Sequence, residues 1–238
     1  MSRSPVVSWS CGLVVLSVLT ASAQTTTLTN FPVGTMIPDD DPSGLASAQT
    51  VSTPITYLTG VKVTLKVSGT FNGDLYCYLT HGSGHTVLLN RVGRRSSSSL
   101  GYGDSGFDVK FDDAATNGDV HAYRLTLNGS NTSPISGALT NVWAPDGRTN
   151  SPFAVLNTDP RTAFLSSFNG SDPNGEWVLF IADAEGGDIS TLVNWGLELT
   201  GYSAPSITMN PANQSAECSS GGATFNVTAS GSAPLSYQ

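Results

Sequence analysis

Phe168-Asn169-Gly170-Ser171-Asp172-Pro173-Asn174-Gly175-Glu176-Trp177 begins the stretch that decides how this chain folds. It continues through Val178-Leu179-Phe180-Ile181-Ala182-Asp183, Gly186-Gly187-Asp188, Leu192, Asn194-Trp195 and Leu197-Glu198-Leu199. Asn174-Gly175 sets a turn, because both residues tolerate backbone angles that most side chains forbid. The run from Trp177 to Ala182 is short, apolar and β-branched, as a buried strand is. An acidic, Gly-rich loop follows, and Trp195 to Thr200 reads as a closing strand. The stretch therefore predicts two strands joined by that acidic loop, with the large rings of Trp177 and Trp195 on facing strands.

Working outward, the same texture recurs. Val61-Lys62-Val63-Thr64-Leu65-Lys66-Val67 alternates apolar and polar residues at period two, which is the pattern of a strand with one buried face. Further strands are expected at Gln49 to Leu58, Asp74 to Thr80, Thr86 to Asn90, Phe107 to Phe111 and Val120 to Leu127. Residues 24 to 30 read as a frayed lead-in, and Ile37 to Gly44 as a turn cluster. Arg94 to Gly106 has the composition of a mobile surface loop, and Asn128 to Arg161 that of loops over the sandwich edge. No segment sustains a helical period. Many short strands separated by turn signals argue for an all-β sandwich or jelly roll.

Composition agrees. Of 238 residues, 39% are hydrophobic and only 12% charged, with 25 Gly and 13 Pro, a turn-rich and globular profile. Acidic residues outnumber basic ones by 18 to 10, so a phosphate backbone would be repelled and nucleic-acid binding is not expected. Arg3, the apolar run Cys11 to Leu19 and Ala21-Ser22-Ala23 form an export signal cut before Gln24. The expected location is thus secreted or on the cell surface. No later stretch has the ~20 apolar residues of a membrane-spanning helix. Cys11 would leave with the signal; Cys77 reads as a packed strand residue, and Cys218 as a thiol without a partner in its own segment.

The quoted stretch resembles the last hairpin of the P domain (Homo B domain) that accompanies subtilisin-like proprotein convertases, so the resemblance implies that its two strands pair with each other. Ile37-Pro38-Asp39, Asp41-Pro42 and Gly44-Leu45 are similar to that family's opening. Phe71-Asn72-Gly73-Asp74-Leu75, Leu89-Asn90-Arg91-Val92-Gly93 and Phe111-Asp112-Asp113-Ala114 are similar to its next segments, in the same order. The resemblance covers roughly residues 30 to 202. Two loops depart from it: Thr80 to Thr86 replaces a Ser-Pro-x-Gly-Thr turn, and the loop before the final strands is long. The resemblance implies a galactose-binding-like jelly roll over residues 24–202 that stabilises or assists a subtilisin-like serine endopeptidase without cutting peptides itself. The protease domain is expected to lie outside this chain. Residues 203–238, with Cys218, Gly221-Gly222 and Phe225-Asn226-Val227, look like the opening of an immunoglobulin-like module. The alternative reading is a secreted or cell-surface binding module for carbohydrate or protein; Tyr102, Tyr123 or Trp143 could then stack on sugar rings, against the commoner use of such residues in core packing.

Three sets of residues carry possible chemistry. Gly103-Asp104-Ser105-Gly106 has the look of a serine-protease nucleophile segment, but lacks the His and Asp that a triad requires, and is read as a Ser/Gly loop. His81 and His85 are expected to be solvated, and His121 to face outward from a strand. Asp74, Asp112, Asp113, Asp183 and Asp188 sit at strand ends and in Gly-rich loops. Calcium wants several hard oxygens gathered by such loops, so these five are the candidate metal ligands. The competing reading is that Asp and Gly are good turn residues.

Overall fold

The computed structural model describes residues 24–214 and 224–232; the expected export signal and Cys218 lie outside them. Internal contacts divide the chain between Ala204 and Pro205. Among the described residues of the first unit, nine strands form: β1 (Gln24–Met36), β2 (Asp41–Val51), β3 (Tyr57–Ser68), β4 (Leu75–His81), β5 (Gly84–Asn90), β6 (Phe107–Phe111), β7 (Leu139–Trp143), β8 (Gly175–Asp183) and β9 (Thr191–Tyr202).

One sheet has the order β1-β9-β3-β6-β7 and the other β2-β8-β4-β5. Only β6 and β7 run parallel; every other pair in the two sheets is antiparallel. Leaving β7 aside, eight strands are wound so that the chain crosses repeatedly between two four-stranded layers. This is a jelly roll, and the unit is an all-β sandwich. The alternation seen in the sequence does the work: Val61, Val63, Leu65 and Val67 of β3 face the core, with Lys62, Thr64 and Lys66 on the other side. β4 answers with Leu75, Cys77 and Leu79, all fully buried. Burial pushes the Cys77 thiol well above its ordinary pKa, so it packs as a small inert hydrophobe.

The closing strands are not a hairpin. β8 pairs with β2 and β4, whereas β9 pairs with β1 and β3 in the opposite layer. Trp177 and Trp195 therefore enter the core from opposite sheets, each completely buried. Each indole N–H keeps a partner, Trp177 donating to the Pro173 carbonyl at 2.9 Å and Trp195 to the Ser47 hydroxyl of β2 at 2.9 Å. The Trp195 bond thus ties one sheet to the other.

Other expectations shift. Residues 24–30 belong to β1, and the expected strand from Gln49 to Leu58 is split between the ends of β2 and β3. Val120 to Leu127 coils: a 3-10 turn at Val120–Ala122 leads into the helix α1 (Tyr123–Asn128). Asp119 caps that turn by accepting from the His121 N–H, and Gly129 ends the helix at φ 67°, a left-handed angle suited to glycine. The edge loops contain β7, and residues 94–106 are pinned rather than free, with Tyr102 and Asp104 buried.

In the second unit, β10 (Ser206–Met209) pairs antiparallel with β11 (Thr228–Ser230). No helix among the described residues is long and apolar enough to cross a membrane.

Candidate functional site

Asp74 ends the 3-10 turn just before β4 and Asp183 closes β8, and the register of those strands sets Leu75 opposite Asp183. The Ala184 N–H donates to the Asp74 carbonyl at 2.9 Å, which locks the two strand ends together. Gly73 is required here because the 100–102 segment crosses directly above it. A Cβ on Gly73 would collide with the Leu100 carbonyl and stand 2.7 Å from the Tyr102 nitrogen. The Gly-Asp-Leu motif is therefore a close backbone crossing followed by a buried carboxyl.

Asp74 and Asp183 are 3% and 1% exposed, and one oxygen of each, Asp74 Oδ1 and Asp183 Oδ2, lacks a hydrogen-bond partner. Arg91, fully buried, stands beside them. Its Nη2 lies 3.6 Å from Asp74 Oδ1, its Nε donates to the Gly73 carbonyl at 2.5 Å, and both terminal nitrogens reach Glu185 at 3.1 Å. Burial pushes the Asp74 carboxyl up to about 7; Arg91 pulls it down, and Asp183, Asp188 and Glu185 push it further up. Burial likewise raises Asp183 to about 6, the Glu185 N–H opposing this and Asp39 adding to it. Desolvation here outweighs the single guanidinium.

Asp188 belongs to the same neighbourhood, accepting from the Thr70 hydroxyl at 2.5 Å, and Asp39 accepts from the Gly187 N–H at 3.3 Å. Asp112 and Asp113 do not join them. Asp112 pairs with Lys62 at 2.8 Å, six residue steps along β3 from the Ser68 end that leads to Thr70, or about 20 Å of extended strand. Burial would raise the Asp112 carboxyl, but Lys62 and the Ala114 N–H outweigh it and hold it below its ordinary value. Asp113 accepts from the Leu165 and Ser166 N–H groups at 3.0 and 2.8 Å, capping a short 3-10 turn. Both line a shallow groove of about 230 Å³ with Thr59, Lys62, Ser166 and Asn169. The five carboxylates are thus two groups. Among the described residues, no three His, Cys, Asp or Glu side chains form a ready metal cage.

The remaining candidates take structural partners. Asp104 accepts from the Tyr123 hydroxyl at 2.6 Å, from Arg124 at 2.6 and 2.8 Å, and from the Ile135 N–H at 3.0 Å. The Asp of the Gly-Asp-Ser-Gly segment is therefore committed to an internal ion pair. His81 is not solvated. It stacks on Trp177 with centroids 4.2 Å apart, and its ring nitrogens stand 2.7 Å from the Glu176 and Asp172 carbonyls. His121 is not outward either; it is fully buried in the coiled segment, against Asp146. Tyr102, Tyr123 and Trp143 are all buried, at 1% exposure or less, so none presents a ring face to a sugar. Arg91, Glu185, Asp39 and Asp146 escape a sequence reading. A lone arginine in the run Leu88-Leu89-Asn90-Arg91-Val92 is the one signal that a buried counter-charge was needed.

Comparison with known proteins adds little to this. No family model matches the chain, and no curated protein matches it. Among solved structures, it is similar to the serine protease of Aeromonas sobria in complex with its chaperone, at 14% identity and a TM-score of 0.44, over 78% of this chain and 28% of that one. The same protease without the chaperone is similar at 14% identity and a TM-score of 0.42, over 76% and 27%. The likeness thus spans little more than a quarter of those chains.

Proposed function

We propose that residues 24–202 are a P-domain-like accessory module that stabilises or assists a subtilisin-like serine protease domain and is exported with it or to it. The observation that carries the reading is where the family-like motifs fall in the fold. Gly73-Asp74-Leu75, Arg91 and Asp183 come from three separate segments and meet in one buried cluster. Trp177 and Trp195 fill the core from its two sheets. Motifs with those positions support a shared architecture rather than a shared reaction site, which suits a partner that lends stability. The alternative of a carbohydrate-binding module loses the aromatic residues on which it rested.

The test is direct. The purified chain is added to, and in a second arm fused behind, a subtilisin-like catalytic domain, and the half-life of peptidase activity at elevated temperature is measured. A lengthened half-life supports the reading; an unchanged one in both arms removes it.

Calcium is part of the same proposal, narrowed to Asp74 and Asp183 with Asp188 nearby. Its support is chemical: two buried carboxylate oxygens without hydrogen-bond partners are hard donors of the kind calcium selects. Carbonyls and water would have to complete the ligand set, and the cation would relieve the desolvation that raises both carboxyls. Calcium at a hundredfold excess over its dissociation constant would add about 2.7 kcal/mol of stability. Equal melting temperatures in calcium and in EDTA would remove calcium and leave the accessory reading standing.

A further inference from the structure

His121 is buried between two loops. Its Nδ1 is 2.7 Å from Asp146 Oδ2, on the segment after β7, and its Nε2 is 2.9 Å from the Arg94 carbonyl, on the segment after β5. A carboxylate and a carbonyl can only accept. A neutral imidazole has one N–H and one lone pair, so it satisfies one of these partners and turns a lone pair toward the other. Only the doubly protonated ring donates to both.

We propose that His121 is a proton-dependent latch, an imidazolium that ties the Arg91–Arg95 segment to the Asp146–Arg148 segment and releases them when it loses a proton. The charged groups around the ring suit that state. Asp146 faces it directly and also binds Arg148 at 3.1 Å. Asp119 caps its backbone while pairing with Arg148 at 2.8 Å and Arg161 at 3.7 Å. Arg94 turns its guanidinium away, to the Pro152 and Phe153 carbonyls, and offers the ring only its carbonyl. Tyr76 interacts with the same Asp146. Burial and Arg148 lower the pKa of His121, but the hydrogen bond and charge of Asp146 and the Arg94 carbonyl raise it more, leaving it above its ordinary value. The backbone is part of the device: the Gly93 N–H donates to the His121 carbonyl at 2.8 Å, so both sides of the residue hold the same loop.

The sign follows from linkage. A histidine whose folded pKa is raised contributes stability that is complete below about 6.5 and is lost as pH rises through the raised value. Within that window the closed loops should open more readily, by up to about tenfold per pH unit.

Two measurements on the full chain test the latch. Nitrogen-15 chemical shifts of the His121 ring should show both nitrogens protonated at pH 6. Hydrogen exchange, corrected for intrinsic rate, should show protection of the Gly93, Gly147 and Arg148 amides falling as pH rises, while core β3 amides hold. In His121→Gln, whose amide takes up no proton in this range, that pH dependence should vanish. A single neutral tautomer at pH 6 would overturn the proposal without any variant. So would an unchanged pH profile in the glutamine variant.

Discussion

Replacing Asp74 by Asn should make the protein more stable at neutral pH, although it removes a partner of a buried arginine. The Asp74 side chain is 5% exposed, and burial holds its carboxyl at about 7 against an ordinary 3.8. From pH 4 to 7 the unfolded chain has released this proton while the folded one keeps it, so folding becomes less favourable as pH rises. The full difference corresponds to about 4 kcal/mol for this one group. Asn carries no such proton and takes up nearly the same volume. Arg91 retains Glu185 and the Gly73 carbonyl when Asp74 is neutralised. Urea unfolding in EDTA at pH 4, 5.5 and 7.5 should therefore give nearly equal stabilities at pH 4, and an Asp74→Asn protein ahead by a few kcal/mol at pH 7.5. A variant that loses stability at pH 7.5 and keeps the wild-type slope would refute the reasoning. It would mean that attraction to Arg91 outweighs desolvation and that Asp74 is charged throughout.

Other substitutions probe single features. Gly73→Ala should cost about 1–3 kcal/mol in thermal unfolding, because the new methyl meets the Leu100 carbonyl and the Tyr102 nitrogen, both backbone atoms with nowhere to move. Asp113→Ala should cost about 1 kcal/mol by freeing the two N–H groups it caps, read as a lower urea midpoint with unchanged slope. Ser47→Ala leaves the buried Trp195 indole N–H unpaired and should cost about 1–3 kcal/mol, visible as a lower melting temperature.

The layered fold was legible because its signal is local. The period-two pattern of Val61 to Val67 needs only neighbours to be read, and the structure buries those same side chains. Partner choice was not legible. Trp177 and Trp195 lie close in sequence, yet the jelly-roll winding sends their strands to opposite sheets, and only tertiary contacts decide that. His121 was misplaced because Val120 to Leu127 carries strand-forming residues; the capping pair of Asp119 and Gly129 was the competing signal for a coil. The carboxylates show the same limit. Asp112 and Asp113 are adjacent in sequence but serve Lys62 and a 3-10 turn, while Asp74 finds Asp183 through strand register alone.

The pairing of β1 with β9 sets Gln24 opposite Gly201 on neighbouring antiparallel strands. Entry and exit of the sandwich are thus about 5 Å apart, the spacing of one sheet rung. A body with such closely set ends can be spliced into a surface loop of another protein without prising that loop open. The same closeness means that a linker of a few residues could join the two ends and the backbone could be cut elsewhere, with the layers left as they are.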